Sequence, residues 1–254
     1  MIVPAYREER LIARTLGRMP AYVGAIYVVD DASPDGTLAA ARRVADPRVT
    51  CLSHAQNGGV GAAIVTGYRA ALADGHDVLA VMAADDQMHP DDLEPLVHAV
   101  LLGADYVKGN RFVHAESRRM PFARRLAGEV LSAATRLATG LPVSDTQCGY
   151  TALSARAARA LPLGELWPRY GYPNDLLGML AARGLSVSEL PVRPVYADEK
   201  SGVRPWHALS VLVVISRRWW RERPHRRLAA PSRGPGDPAV HPALPAPYER
   251  DPSS

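Results

Sequence analysis

Between Val78 and Leu93 the chain reads VLAVMAADDQMHPDDL. An apolar run, Val78 to Met82, has the length of a buried strand, and two carboxylates, Asp85 and Asp86, follow it directly. In an open parallel sheet, ligands bind outside the carboxyl ends of the strands. Acids placed there can hold a hard divalent cation, which takes oxygen ligands and often shares them with phosphate. A solvated loop capping the next helix is the plainer reading, and it suits Asp91 and Asp92, which follow Pro90 where a helix start favours negative charge. Asp85 is the residue to which the chemistry falls.

The rest of the chain must supply a frame for that strand end. A chain of 254 residues accommodates one large α/β domain with appendages. It shows neither an apolar run long enough to span a bilayer nor a secretory leader. The two cysteines, Cys51 and Cys148, lack metal-ligand spacing and make no disulfide framework, so a reducing cytoplasm is expected, with Cys51 a core residue of a strand. The net charge is only +4, but arginines cluster at Arg118, Arg119, Arg124 and Arg125 and again from Arg217 to Arg227. Such clusters point to phosphate or a membrane surface. No helix-turn-helix, zinc or aromatic RNA-reading pattern accompanies them, so nucleic acid is not an expected partner.

Strands and helices alternate. Met1 to Ala5 forms a first strand, with a helix running to about Arg18; Ala25 to Val29 is the second strand and ends in Asp30 and Asp31. Ser33 to Thr37 is turn chemistry, leading to a helix that reaches about Ala45; Val49 to Ser53 is the third strand. Asn57 to Gly61 is a glycine-rich turn before the helix Ala62 to Ala73. It is neither a P-loop nor a dinucleotide fingerprint, and serves either tight strand-to-helix packing or a ligand. A short strand lies near Tyr106 to Lys108. This alternation predicts a mostly parallel sheet with right-handed crossovers. Beyond it come a long helix over Arg118 to Thr139, a short one over Ala155 to Ala160, another over Leu176 to Arg183, and an extended segment from Val187 to Val195. Trp206 to Arg223 has a short apolar centre flanked by tryptophans and arginines. It fits a helix lying in a lipid headgroup layer or an amphipathic helix packed on the domain. From about Pro224 the proline-rich tail reads as disordered. Pro4, Tyr6 and Glu8, then Asp30 and Asp31, then Asp85 and Gln87 fall at three strand ends and so line one crevice.

The segments VPAYREE, VVDDASPDGT, NGGVGAA, VMAADDQMHPDDL, KGNRF and SDTQCGYTALS, in this order, resemble family 2 glycosyltransferases of the GT-A fold, in particular dolichol-phosphate mannosyltransferases and related polyprenyl-phosphate glycosyltransferases. The resemblance covers about Val3 to Arg204 and implies a single GT-A domain over residues 1–204, followed by the amphipathic helix 205–223 and the tail 224–254. It implies inverting transfer of a hexose, with mannose foremost, from GDP-mannose or a UDP-hexose to a polyprenyl phosphate, by an enzyme peripheral to the cytoplasmic face of a membrane. Pro4, Tyr6, Glu8 and Asp30 match positions that hold base and ribose, with Asp31 assisting or merely ordering the turn. Asp85 and Gln87 match the metal-binding positions, for Mg²⁺ or Mn²⁺. Ala83 departs from the pattern, standing where the family has a first acid that only Asp86, water or the diphosphate could replace. Arg111 matches a strand-end arginine and is expected at the acceptor phosphate, with Arg124 or Arg125 on the next helix. Asp145 is expected to orient the sugar or order the acceptor loop, Asp175 to contact donor hydroxyls, and Lys200 to close over the diphosphate. Two alternatives remain: a soluble hydroxyl acceptor, with Asp145 or Asp175 as base, and a non-catalytic nucleotide-sugar binder.

Overall fold

The computed structural model describes residues 1–120, 122–195 and 205–228. Seven strands form one sheet: β1 (Ile2–Ala5), β2 (Ile26–Asp30), β3 (Val49–Ser53), β4 (Val78–Val81), β5 (Tyr106–Asn110), β6 (Thr151–Ser154) and β7 (Val187–Pro191), in the order β3-β2-β1-β4-β6-β5-β7. The pairs β1/β2, β2/β3, β1/β4 and β5/β7 are parallel, whereas β6 runs antiparallel to both β4 and β5. The expected mostly parallel α/β architecture is therefore present, with one reversed strand that the sequence did not disclose. At four residues, TALS is too short to show a two-residue period.

The helices are α1 (Ile12–Gly17), α2 (Thr37–Arg42), α3 (Val60–Ala73), α4 (Leu93–Leu101), α5 (Phe122–Thr139), α6 (Ala155–Ala160), α7 (Tyr172–Ala182) and α8 (Pro205–Leu228). They cover both faces of the sheet. On one face Ile12 and Leu16 of α1, Ala40 of α2 and Leu93 and Leu96 of α4 pack with Val3 and Val28. On the other, Ile64 and Tyr68 of α3 and Leu176 and Leu180 of α7 pack with Ile2 and Tyr27. Neighbouring residues of one strand thus enter opposite cores, as the two-residue period of a strand demands, and strands buried on both sides read as continuous apolar runs.

Two element boundaries bear on function. Helix α1 begins only at Ile12, so Glu8 and Glu9 are not in its first turn. They face the neighbouring loop, where the Glu8 amide donates to Thr37 Oγ1 at 2.8 Å and Glu9 Oε2 accepts from the Gly36 amide at 3.1 Å. Helix α8 continues through Pro224 to Leu228, past the expected start of the tail; residues 229–254 and Lys200 lie outside the described residues. It packs on α5 and α7 through Val211, Val214, Ile215 and Arg218, a single stripe at helical spacing. No helix among the described residues is long and apolar enough to cross a membrane.

Candidate active site

Parallel pairing of β1 with β2 sets Ala5 opposite Asp30, so the loops leaving these strands run side by side. Pro4 is buried within β1, and Tyr6, just beyond it, is 42% exposed with the Arg7 guanidinium 5.4 Å from its ring centroid. Arg7 takes a left-handed φ of 62° and its amide donates to Ser33 Oγ at 3.1 Å, which stitches the two loops together. Asp30 is 4% exposed. Its Oδ2 accepts from the Ser33 amide at 3.2 Å, while its Oδ1 is buried without a hydrogen-bond partner. A buried carboxylate oxygen left over in this way is a ready acceptor for a ligand N–H or O–H.

Asp31 serves a different purpose. Its Oδ1 accepts from the Gly58 amide at 2.8 Å, its Oδ2 from the Gly59 amide at 2.7 Å, and His54 Nδ1 lies 2.7 Å from Oδ1. The chain's own carboxylate thus occupies the donors of the glycine turn at the start of α3. Of the two readings of that turn, packing is the one the contacts display. Gly59 has φ 95°, and a Cβ there would lie 2.5 Å from the Pro168 carbonyl oxygen; a Cβ on Gly61 would lie 2.3 Å from that of Trp167.

At the end of β4, Asp85 is half-buried and its Oδ1 accepts from the Gln87 amide at 3.1 Å. Asp86 adopts a left-handed φ of 55° and turns to α1, where Arg14 Nε lies 2.7 Å from Oδ2 and Arg18 Nη1 3.0 Å from Oδ1. Both Asp86 oxygens are thus paired with those arginines. Among the described residues no group of three or more His, Cys, Asp or Glu side chains is gathered as for a metal ion.

Across β6, the residues following β5 form a tight polar node. Asp145 is wholly buried and receives the Arg111 backbone amide at 3.0 Å, Nε at 2.8 Å and Nη2 at 2.9 Å. Burial alone would raise the Asp145 carboxyl's pKa. The Arg111 hydrogen bonds and charge, helped by Lys108, outweigh that effect and hold it below the usual carboxylate range. Lys108, also wholly buried, donates Nζ to the carbonyls of Asp145 and Cys148. Glu189 of β7 accepts from the Ser144 and Asp145 amides at 2.8 and 2.9 Å and from Asn110 Nδ2 at 2.8 Å. This loop reaches the β4 loop: Tyr150 Oη donates to the His89 carbonyl at 3.1 Å, and a Cβ on Gly149 would lie 3.5 Å from Met88 Cε. His89 is further held by Arg193 of the β7 exit, whose Nη1 lies 3.1 Å from Nδ1 and whose Nε pairs with Asp92 at 3.1 Å.

Other expected site residues sit elsewhere. Asp175, on α7, was expected to meet donor hydroxyls. It is 4% exposed, and both of its oxygens are taken, Oδ1 by Arg218 Nε at 2.7 Å and Oδ2 by Arg218 Nη2 and the Trp167 amide, each at 2.8 Å. It supports α8 and the segment before α7. Arg125 pairs with Glu129 one turn along, at 2.9 Å on a solvent-facing side of α5. Arg124 lies on the same helix, and its side chain is outside the described set. The arginines of α8 turn in part towards the protein: Arg217 lies over the Trp167 ring at 5.4 Å and Arg221 Nη2 is 2.6 Å from Glu165 Oε2. Sequence reasoning singled out none of Lys108, Glu189, Arg193 or Arg218 for these contacts. Two carried a signal, since Lys108 interrupts an apolar strand and Arg218 falls on the apolar stripe of α8.

Comparison with known proteins agrees with this frame. Residues 1–160 match the profile of glycosyl transferase family 2. An undecaprenyl-phosphate mannosyltransferase of Micrococcus luteus is 36% identical over 197 residues, covering 75% of this chain and 81% of that protein. The polyprenol monophosphomannose synthase of Mycolicibacterium smegmatis is 31% identical over 210 residues, covering 80% and 78%. In fold, the chain resembles glucosyl-3-phosphoglycerate synthase of Mycobacterium tuberculosis, crystallised with Mn²⁺, UDP-glucose and phosphoglyceric acid. That likeness has a TM-score of 0.65 at 22% identity and covers 86% of this chain and 78% of that one.

Proposed function

The chain belongs to glycosyl transferase family 2, and we propose that it moves a hexose, with mannose foremost, from a nucleoside diphosphate sugar to a polyprenyl monophosphate. The observation that carries this reading is the Arg111–Asp145 pair. A neutral hydroxyl acceptor needs a base, and the two carboxylates proposed for that role, Asp145 and Asp175, each have both oxygens bound to an arginine. A phosphate acceptor is already an anion and needs positioning, which is a large part of such a barrier. Arg111 is a guanidinium fixed in orientation by a buried carboxylate, and guanidinium binds phosphate through parallel hydrogen bonds. In the reaction, a phosphate oxygen forms a bond to the anomeric carbon as the bond from that carbon to the nucleoside diphosphate breaks, inverting the centre. The named relatives are enzymes of undecaprenyl phosphate and polyprenol monophosphate, which supports the same acceptor class.

On the donor side, Tyr6 offers a ring face and Asp30 Oδ1 an unpartnered acceptor, with Pro4 and Glu8 shaping the same loop. Both guanine and uracil present N–H donors to such an acceptor, so GDP-mannose and UDP-hexoses are the donors to test. Asp31 acts by holding the glycine turn behind them. The oxygen-donor set at the end of β4 fits a cation that draws most of its ligands from phosphate and water, as Mg²⁺ does. Asp85 and Gln87 would hold such an ion, Mg²⁺ or Mn²⁺, which when bound supplies positive charge to the departing diphosphate. Arg124 keeps the role that the resemblance implies at the acceptor phosphate, and Lys200 its role over the diphosphate, while Arg125 is engaged with Glu129.

Membrane association is part of the proposal. The outward side of α5 carries Leu126, Val130 and Leu137, all exposed and on one helical stripe, and α8 exposes Leu212, Val213 and Trp220. Apolar faces of this kind beside arginines suit a peripheral enzyme at the inner face of a membrane.

Incubating the full chain with labelled GDP-mannose or UDP-glucose, Mn²⁺ and either undecaprenyl phosphate or a soluble sugar acceptor tests the reading. Lipid-linked product is expected. Transfer confined to the soluble hydroxyl, or nucleotide-sugar binding without turnover on any acceptor, would overturn it.

A further inference from the structure

We propose that Arg218 is a positioning residue for the nucleotide pocket, acting from α8 through Asp175 and the segment Trp167–Arg169 on the glycine turn behind Asp30. This rests on the reading of Tyr6 and Asp30 as the nucleotide site.

The links are short and continuous. Arg218 sits in mid-helix at 4% exposure and grips Asp175 with two hydrogen bonds, while its Nη2 also donates to the Glu165 carbonyl at 3.2 Å. Asp175 in turn accepts the Trp167 amide at 2.8 Å. The Pro168 carbonyl accepts the Ala62 amide at 3.1 Å, in the first turn of α3. Arg169 Nη2 donates to the Asn57 carbonyl at 3.4 Å, and Asn57 Nδ2 donates to the Asp31 carbonyl at 3.1 Å. The Gly58 and Gly59 amides close the chain on the Asp31 carboxylate, one residue from Asp30.

Three features indicate that this path holds a position rather than merely filling space. A buried guanidinium–carboxylate pair is often matched or bettered in stability by apolar residues of similar volume, so its presence calls for a role in orientation. Room is made for it, because a Cβ on Gly178 would lie 2.4 Å from Arg218 Cγ. At the far end, Gly59 and Gly61 lack the side chains that would push the Trp167 and Pro168 carbonyls away, so the segment and the turn meet backbone to backbone.

The measurement is calorimetric binding of UDP and GDP, with Mn²⁺, to the full chain and its variants, alongside thermal denaturation and steady-state kinetics. Arg218→Met is expected to weaken the nucleotide at least about fivefold, the low end of coupling between sites, and to raise the donor KM while leaving the acceptor KM in place. Arg218→Lys retains the charge but not the fork, and is expected to fall between. Gly61→Ala, with the ion pair intact, is expected to weaken the nucleotide in the same direction and less than additively with Arg218→Met. Val214→Ala loosens the same buried face of α8 without touching the pair, and should lower the melting temperature while leaving nucleotide affinity unchanged. Wild-type affinity in folded Arg218→Met overturns the proposal; if that variant does not fold, wild-type affinity in both Arg218→Lys and Gly61→Ala does so. An equal loss in Val214→Ala would reduce Arg218 to a packing residue. A wild-type chain that binds neither nucleotide refutes the pocket itself, which is a separate failure.

Discussion

Asp145→Asn separates positioning from base catalysis at the acceptor side of the site. The wild-type carboxylate is wholly buried and receives three hydrogen bonds from Arg111. Asparagine keeps one acceptor oxygen but turns an NH₂ towards a guanidinium donor, leaving a largely desolvated cation without its counter-charge. Removing one partner of a buried ion pair costs about 3–5 kcal/mol. The Arg111 side chain retains 20% exposure and can recover some hydration. The loss should therefore lie at the lower end, about 3 kcal/mol, or roughly a 150-fold change in the folding equilibrium. Urea unfolding reads this directly. With its orienting partner gone, Arg111 should lose a charge-assisted contact of about 1.5 kcal/mol to the acceptor, so the acceptor KM should rise roughly tenfold. The acid limb of the pH–rate profile should keep its position, because Arg111 already holds the Asp145 carboxyl below the usual carboxylate range. Wild-type stability combined with a collapse of kcat and a lost acid limb would refute the positioning argument and restore the base.

Three further outcomes follow from the same geometry. Ala83→Asp places a second carboxylate at the half-buried end of β4 beside Asp85, and should lower the Mn²⁺ concentration for half-maximal activity; an unchanged titration would mean that the ion is not held there. Gly67→Ala puts a Cβ 2.4 Å from Ile2 Cγ2 where α3 crosses β1, an overpacking of about 1–3 kcal/mol that calorimetry would show as a lower melting temperature with donor KM little changed. The depressed Asp145 carboxyl contributes stability that is complete above the unfolded carboxylate pKa of about 3.9 and is lost as pH falls below it through the folded value. Arg111→Gln should flatten that acid limb of the melting curve, and a limb of undiminished slope would assign it to other carboxylates.

Much of the frame was legible in the chain itself, because its causes are local. Apolar runs of strand length announced β1 to β4, the glycine turn announced the start of α3, and Asp30 and Asp85 stood at strand ends before any topology was known. The order β2-β1-β4 then sets those ends side by side. Contacts between residues far apart in the chain were not legible. Asp86 reads as a twin of Asp85, yet a left-handed backbone turns it to Arg14 and Arg18 on a helix some 70 residues earlier. Asp175 reads as an acid for donor hydroxyls and Arg218 as one of a cluster of arginines, yet 43 positions apart they bury one another. Glu189 sits in a strand, yet gathers backbone amides from a loop 45 residues before it. The composition of a segment determines what it can form. Whether a charge on it faces water, a ligand or an opposite charge depends on which neighbour the fold brings up, since an ion in a low-dielectric interior is costly unless a partner is brought to it.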